Sequence, residues 1–159
     1  VGYNALLEGK VDALGTTQIP PAFRNGDHRL KRLFDNYREV EIAYYKKTGI
    51  FPIMHLLVAR KSSVAASPEL PRQLFEMFSQ AKKLANVRLN GDGSLGLAWK
   101  EHYIKEEQEI FGGDAWAYGL AKNHHTLAKF LGYCYDIGIS ARKMEPKELF
   151  HPSTWGLSE

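Results

Sequence analysis

The chain has 159 residues, 44% hydrophobic and 25% charged, with a formal net charge of +3; this suits one sizeable core and is short for two. Its lysines and arginines are scattered among acids rather than gathered in a basic block, which speaks against a nucleic-acid partner, and no run approaches the roughly 20 apolar residues that a membrane helix needs. The one cysteine, Cys134, excludes an internal disulfide framework and a multi-cysteine zinc site.

The opening "VGYNALLEGKVDALG" reads as mid-domain material, without an initiator methionine or a signal-peptide pattern, so a piece of a longer polypeptide is expected. It predicts a short helix ending near Gly9, then a strand over Val11–Gly15. "TTQIPPAFRNGDHR" is a polar loop with two prolines and an Asn-Gly turn signal. "LKRLF" reads as a short strand. "DNYREVEIAYYKKTG" reads as a helix, capped by Asp35 or Asn36 and stopped at Gly49 behind two lysines. "IFPIMHLLVAR" is strand-like, rich in apolar and β-branched residues.

The clearest helix is "SPELPRQLFEMFSQAKKLA", with Ser67 as cap, Pro68 at its first position, and Leu70, Leu74, Phe78 and Ala81 on one face. "NGDGS" breaks it. "LGLAWKEHYIKEEQEIF" predicts a second helix with Trp99, Tyr103 and Ile110 on one side. After "GGDAWAYGL", "NHHTLAKFLGYCYDIG" predicts a third, with Asn123 as cap and Gly138 as terminator. "EPKELF" suggests a last helical turn. So few strands cannot make an independent covered sheet. The order therefore predicts a fragment of an α/β protein whose missing strands come from sequence before Val1 or from another chain.

His55 is the first candidate for chemistry. Pro52 cannot donate to a ladder and marks a strand start, an edge or a bulge, with His55 just inside that boundary. Boundaries of this kind border clefts in open α/β sheets, and imidazoles serve there as acid, base or hydrogen-bond donor. The alternative, which spacing alone favours, is a histidine satisfied by a backbone carbonyl under a loop. Thr16, Thr17 and Gln18 follow the predicted strand Val11–Gly15 and offer hydroxyl and amide groups to a carboxylate or a phenol. Arg24 offers a planar, bidentate cation. The alternative for these four is a solvated polar loop.

Other features carry less. His102 and Glu106, four apart on a helix, could hold a metal from one face, but nothing nearby completes a ligand set, so no metal is expected. His124 and His125 read as surface histidines, Cys134 as a small core hydrophobe, and Trp116 and Tyr118 as packing aromatics. Trp155 reads as an anchor for a docked tail. "GDGSLG", Gly91 to Gly96, matches GxGxxG by letter but follows a helix rather than a strand, so it reads as a turn. No motif recruits a nucleotide, a flavin or a serine nucleophile, and no cofactor is expected.

Three stretches, "LLEGKVDAL", "YYKKTGIFPIMHLLVARK" and "AWAYGLAKNHHTLAKFLGYCYDIGISARKMEPKELFHPST", resemble the C-terminal half of the 4,5-dihydroxyphthalate decarboxylase family, and "GIFPIMH" is the most specific piece. One departure is Ala115 and Ala117 in "GDAWAYG", where the family favours proline. The family is similar to the solute-binding proteins of ABC transporters. The resemblance implies a fragment of a two-lobed, type II periplasmic-binding-protein-like α/β fold. Residues 1–47 would end the second lobe, 48–66 would cross back, and 67–159 would complete the first lobe. It also implies cofactor-independent decarboxylation of a hydroxylated aromatic dicarboxylate in the cytoplasm. His55 would be the acid/base residue, and Pro52, Thr16, Thr17, Gln18 and Arg24 would stand near an anionic aromatic ligand. The rival is a non-catalytic solute-binding protein for a small aromatic anion, periplasmic if a signal precedes Val1. A fragment of this kind would need its other half, or a second copy as a homo-oligomer, to cover its sheet edges.

Overall fold

The computed structural model describes residues 2–91 and 96–159. The chain divides into two compact units, Val1–Tyr44 and Tyr45–Glu159. Among the described residues both are built from helices and loops. The expected α/β sheet, and with it the two-lobed periplasmic-binding-protein-like fold, is overturned. None of the three predicted strands forms; β-pairing among the described residues is an isolated antiparallel bridge between Gly119 and Ser158. The physical reason is that an apolar, β-branched stretch becomes a strand only when a neighbour takes its backbone N–H and C=O groups. A helix satisfies those groups within itself.

In the first unit, α1 (Gly2–Leu7) ends as the sequence predicts. Gly9 turns the chain at φ 69°, and Lys10 N–H donates back to the Ala5 carbonyl at 2.8 Å. Residues 11–15, expected as a strand, are irregular. The expected polar loop contains a single helical turn, α2 (Pro21–Arg24), begun by a proline whose missing N–H costs nothing at that position. "LKRLF" contributes Leu30, which is buried, while Leu33 and Phe34 face outward. Helix α3 (Tyr37–Thr48) starts where the Asn36 carbonyl accepts from Val40 N–H, and the division between the units falls within it.

The second unit centres on α7 (Leu120–Asp136), whose Leu120, Leu127, Leu131 and Cys134 are buried. Their spacing places them on one helical face. That face packs against a 3-10 turn over Pro146–Leu149, with Pro146 fully buried. This is the final turn predicted from "EPKELF". Gly138 ends α7 as expected. It sits at φ 75°, and Ser140 N–H reaches the Cys134 carbonyl at 3.0 Å. Asn123 does not cap α7, which begins three residues earlier. Its side-chain amide donates instead to the Ala117 and Gly119 carbonyls, at 2.8 and 2.9 Å.

The other helices also depart in detail from prediction. Residues 61–66 form an unpredicted short helix, α4 (Lys61–Ala66), which packs on α5 (Leu70–Asn90). Ser67 closes α4 rather than capping α5. On α5 the inner positions are Leu70, Pro71, Leu74, Phe75, Ser79, Lys82 and Leu89, so Leu70 and Leu74 lie inward as predicted, whereas Phe78 and Ala81 are exposed. The true face is therefore partly rotated from the predicted one. On α6 (Lys100–Phe111), Trp99 and Tyr103 are exposed, and Ile104, Ile110 and Phe111 turn inward. The "GDGSLG" turn lies largely outside the described residues.

Candidate functional site

The stretch around His55 begins from a fixed root. At the end of α3 the Thr48 hydroxyl accepts from Ile50 N–H at 3.2 Å. The Thr48 carbonyl accepts from His125 Nε2 at 3.0 Å, so that nitrogen carries the proton. Gly49, at φ 66°, turns the chain out of the helix. Phe51 then enters an aromatic cluster. Its ring meets Phe111 edge-on at 4.8 Å and Trp116 at 4.9 Å, and Phe111 in turn meets Tyr45 at 4.6 Å. Edge-to-face arrays of this kind are favourable beyond the area they bury.

Trp116 is held in place by a lysine. Lys82, on the inner face of α5, donates from Nζ to the Trp116 carbonyl and to Glu159, each at 2.6 Å, and pairs with Asp114. The ammonium also lies 4.3 Å from the Tyr118 ring centre. Asp114 accepts from Trp116 N–H at 2.8 Å, and Glu159 accepts from Tyr118 N–H at 3.1 Å. Burial works against the charge on Lys82, but hydrogen bonds to Asp114 and Glu159 outweigh it and raise the pKa above its ordinary value. The tail over residues 157–159 lies so close that a Cβ on Gly119 would stand 2.5 Å from the Leu157 carbonyl oxygen, so only glycine fits there. Trp155, expected as an anchor for a docked tail, is exposed and donates from Nε1 to the nearby Phe150 carbonyl at 3.0 Å.

Beyond Phe51 the support stops. Pro52 is exposed and lacks an N–H, and Ile53 is half-buried. Met54, Leu56, Leu57 and Val58 are exposed, the last at 85%. His55 stands exposed among them, three residues beyond the proline. Neither the strand boundary nor the sheet cleft expected around it exists among the described residues. Its setting is an anchored root followed by an unpaired apolar stretch.

The polar candidates belong to the first unit. Thr16 is committed to its own turn: its hydroxyl accepts from Gln18 N–H at 3.1 Å and donates to the Gln18 carbonyl at 3.2 Å. Thr17 and Gln18 are exposed, with their side chains open to solvent. Arg24 is exposed in the last turn of α2, and among the described residues no carboxylate pairs with it. His102 lies on α6 with its ring 6.0 Å from that of Tyr103. Among the described residues no group of three or more His, Cys, Asp or Glu side chains is placed to hold a metal ion. Sequence reading missed Lys82 and His125. Lys82 could have been found from the helical phase of Pro71, Phe75 and Ser79. His125 gave no signal, because its partner is 77 residues away.

Over 153 residues, 95% of this chain, the sequence is 32% identical to a 4,5-dihydroxyphthalate decarboxylase of Comamonas testosteroni. The chain spans about half the length of that curated relative, 46%. No family model matches the chain. The similarity supports a relationship to such a decarboxylase. Among the described residues no helix is long and apolar enough to cross a membrane.

Proposed function

We propose that this chain forms part of a cofactor-independent decarboxylase acting on a hydroxylated aromatic dicarboxylate such as 4,5-dihydroxyphthalate. The observation that carries the reading is the 32% identity over 95% of the chain to a protein of that name. The "GIFPIMH" stretch supplies one group suited to the chemistry, the imidazole of His55.

Loss of CO₂ from an aromatic acid would leave an electron pair on a ring carbon, which is unfavourable unless that carbon gains a proton. A hydroxyl para to that carbon helps when it is ionised, because it pushes electron density onto the carbon to be protonated. A proton is then added at the ring carbon, the carbon–carboxyl bond breaks, and its electron pair restores the aromatic ring as CO₂ departs. The protein must supply a general acid for the carbon, a hydrogen-bond partner for the phenol, and a cation to hold the carboxylate that stays. His55 is the proposed general acid. Pro52 fixes the backbone entering its stretch. Thr17 and Gln18 offer polar groups and Arg24 a charge, with Thr16 shaping the turn that presents them.

The test is to mix the full-length protein with 4,5-dihydroxyphthalate, without added cofactor, and follow CO₂ release and loss of substrate. Stoichiometric release supports the decarboxylase. Binding without release replaces it with a solute-binding protein, and no interaction removes the substrate class.

A further inference from the structure

The first unit carries an arginine whose guanidinium lies over two aromatic rings and, among the described residues, pairs with no acid. The Arg32 guanidinium lies 4.3 Å from the ring centre of Tyr37 and 5.6 Å from that of Phe23. The side chain is exposed, yet its charged group is laid on two faces that come from α3 and α2. Stacking uses the face of a guanidinium and leaves its N–H edges free.

The segment around it is built to keep those edges free. Residues 22–34 hold four cations, Arg24, Arg29, Lys31 and Arg32, and a single carboxylate, Asp27. That carboxylate is already taken: Arg29 donates to its two oxygens at 3.0 and 2.6 Å, and Arg29 N–H adds a third bond at 3.1 Å. The Asp27 carbonyl accepts from Leu30 N–H, also at 3.1 Å, and Leu30 is buried, so the turn leading to Arg32 is fixed at its base. Among the described residues no carboxylate pairs with Arg32. The segment leading to it carries more cations than acids, and two rings lie under its guanidinium. Both properties favour an incoming anion whose geometry matches a planar fork, because little side-chain freedom is left to lose.

We propose that Arg32, stacked on Phe23 and Tyr37, is a binding site for the carboxylate of an aromatic dicarboxylate. The choice of that ligand class rests on the function proposed above; the stacked guanidinium does not. A carboxylate takes two N–H groups from one edge of the guanidinium. Lys31 and Arg24 add long-range attraction. A lysine in place of Arg32 keeps the charge and loses both the fork and the stacking.

The experiment is phthalate binding to the full-length protein by titration calorimetry, with uncharged dimethyl phthalate as the control ligand. Arg32→Lys is expected to weaken phthalate binding about 10-fold, because the charge stays while the two-pronged contact and the stacking are lost. Tyr37→Leu, which removes one ring and leaves the arginine, is expected to weaken it by a few-fold. Arg29→Lys should leave it unchanged, and circular dichroism on each variant checks folding. Wild-type strength in Arg32→Lys, equal losses in Arg29→Lys and Arg32→Lys, or no phthalate binding by the wild type each overturns the proposal. The two readings fail separately. Arg32-dependent binding in a protein that releases no CO₂ keeps this site and removes the decarboxylase. CO₂ release with phthalate binding indifferent to Arg32 does the reverse.

Discussion

Helix α7 and residues 53–60 are both apolar stretches of the second unit, and they meet opposite fates. The helix buries Leu120, Leu127, Leu131 and Cys134. The other stretch leaves Met54, Leu56, Leu57 and Val58 exposed. Hydrophobicity alone does not separate them. Backbone satisfaction does: α7 closes its own hydrogen bonds and can present one clean face to a neighbour. Residues 53–59 make no backbone-to-backbone hydrogen bond among the described residues, so burial would strand their polar groups. The scaffold holds Thr48 to Phe51 through His125 and the Lys82 clamp, and His55 emerges beyond that support.

The contrast breaks most easily at two leucines. Leu127→Ala should cost about 2–5 kcal/mol, as core truncations do, in chemical denaturation of the intact protein. Leu57→Ala should cost less than about 0.5 kcal/mol in the same measurement. A large loss at Leu57 would mean that something covers the stretch after all.

Lys82→Met sharpens the other side of the comparison, the root. It removes hydrogen bonds to Asp114, Glu159 and the Trp116 carbonyl, and should cost about 1–3 kcal/mol. Tryptophan fluorescence should shift, because Trp116 loses its tether. The pH dependence has a definite sign. The folded pKa of Lys82 is raised above 10.5, so its contribution is complete below that pH and fades as pH climbs through the higher folded value. Loss of this contribution in neutral solution would contradict the clamp.

A smaller effect is expected from His125→Ala, about 0.5–1.5 kcal/mol, for one exposed hydrogen bond to the Thr48 carbonyl. The smallest concerns Glu148. Its carboxylate accepts from the Arg142 guanidinium and from Glu145 N–H, which lower its pKa from 4.5 to about 2. The group contributes fully above pH 4.5, and the contribution disappears as pH falls through about 2. The carboxyl carbon signal of Glu148, followed by NMR in acid, checks it. A midpoint near 4.5 would mean that the pair with Arg142 does not form in solution.

The helices were readable because their signals are local. Gly9, Gly49 and Gly138 stop helices where the sequence places them, and "EPKELF" makes its turn. The strands were misread because strand character depends on a partner: "IFPIMHLLVAR" has the composition of a strand and, among the described residues, no ladder to join. The face of α5 was legible at Leu70 and Leu74 and not at Phe78 and Ala81, for a related reason. Lys82 shares the inner face, and the acids that pair with it there, Asp114 and Glu159, lie 32 and 77 residues away in the chain. Of the proposed site, the types and positions of Thr16, Thr17, Gln18, Arg24 and His55 were legible. The stacking of Arg32 was not, since it depends on how α2 and α3 set Phe23 and Tyr37.

The central claim is that the exposed histidine beyond the anchored root carries out proton transfer. The measurement is turnover of 4,5-dihydroxyphthalate by full-length His55→Ala beside Leu57→Ala. A fall of about 10²- to 10⁴-fold for His55→Ala, with Leu57→Ala close to wild type, is predicted. Wild-type turnover in His55→Ala would remove His55 from the mechanism.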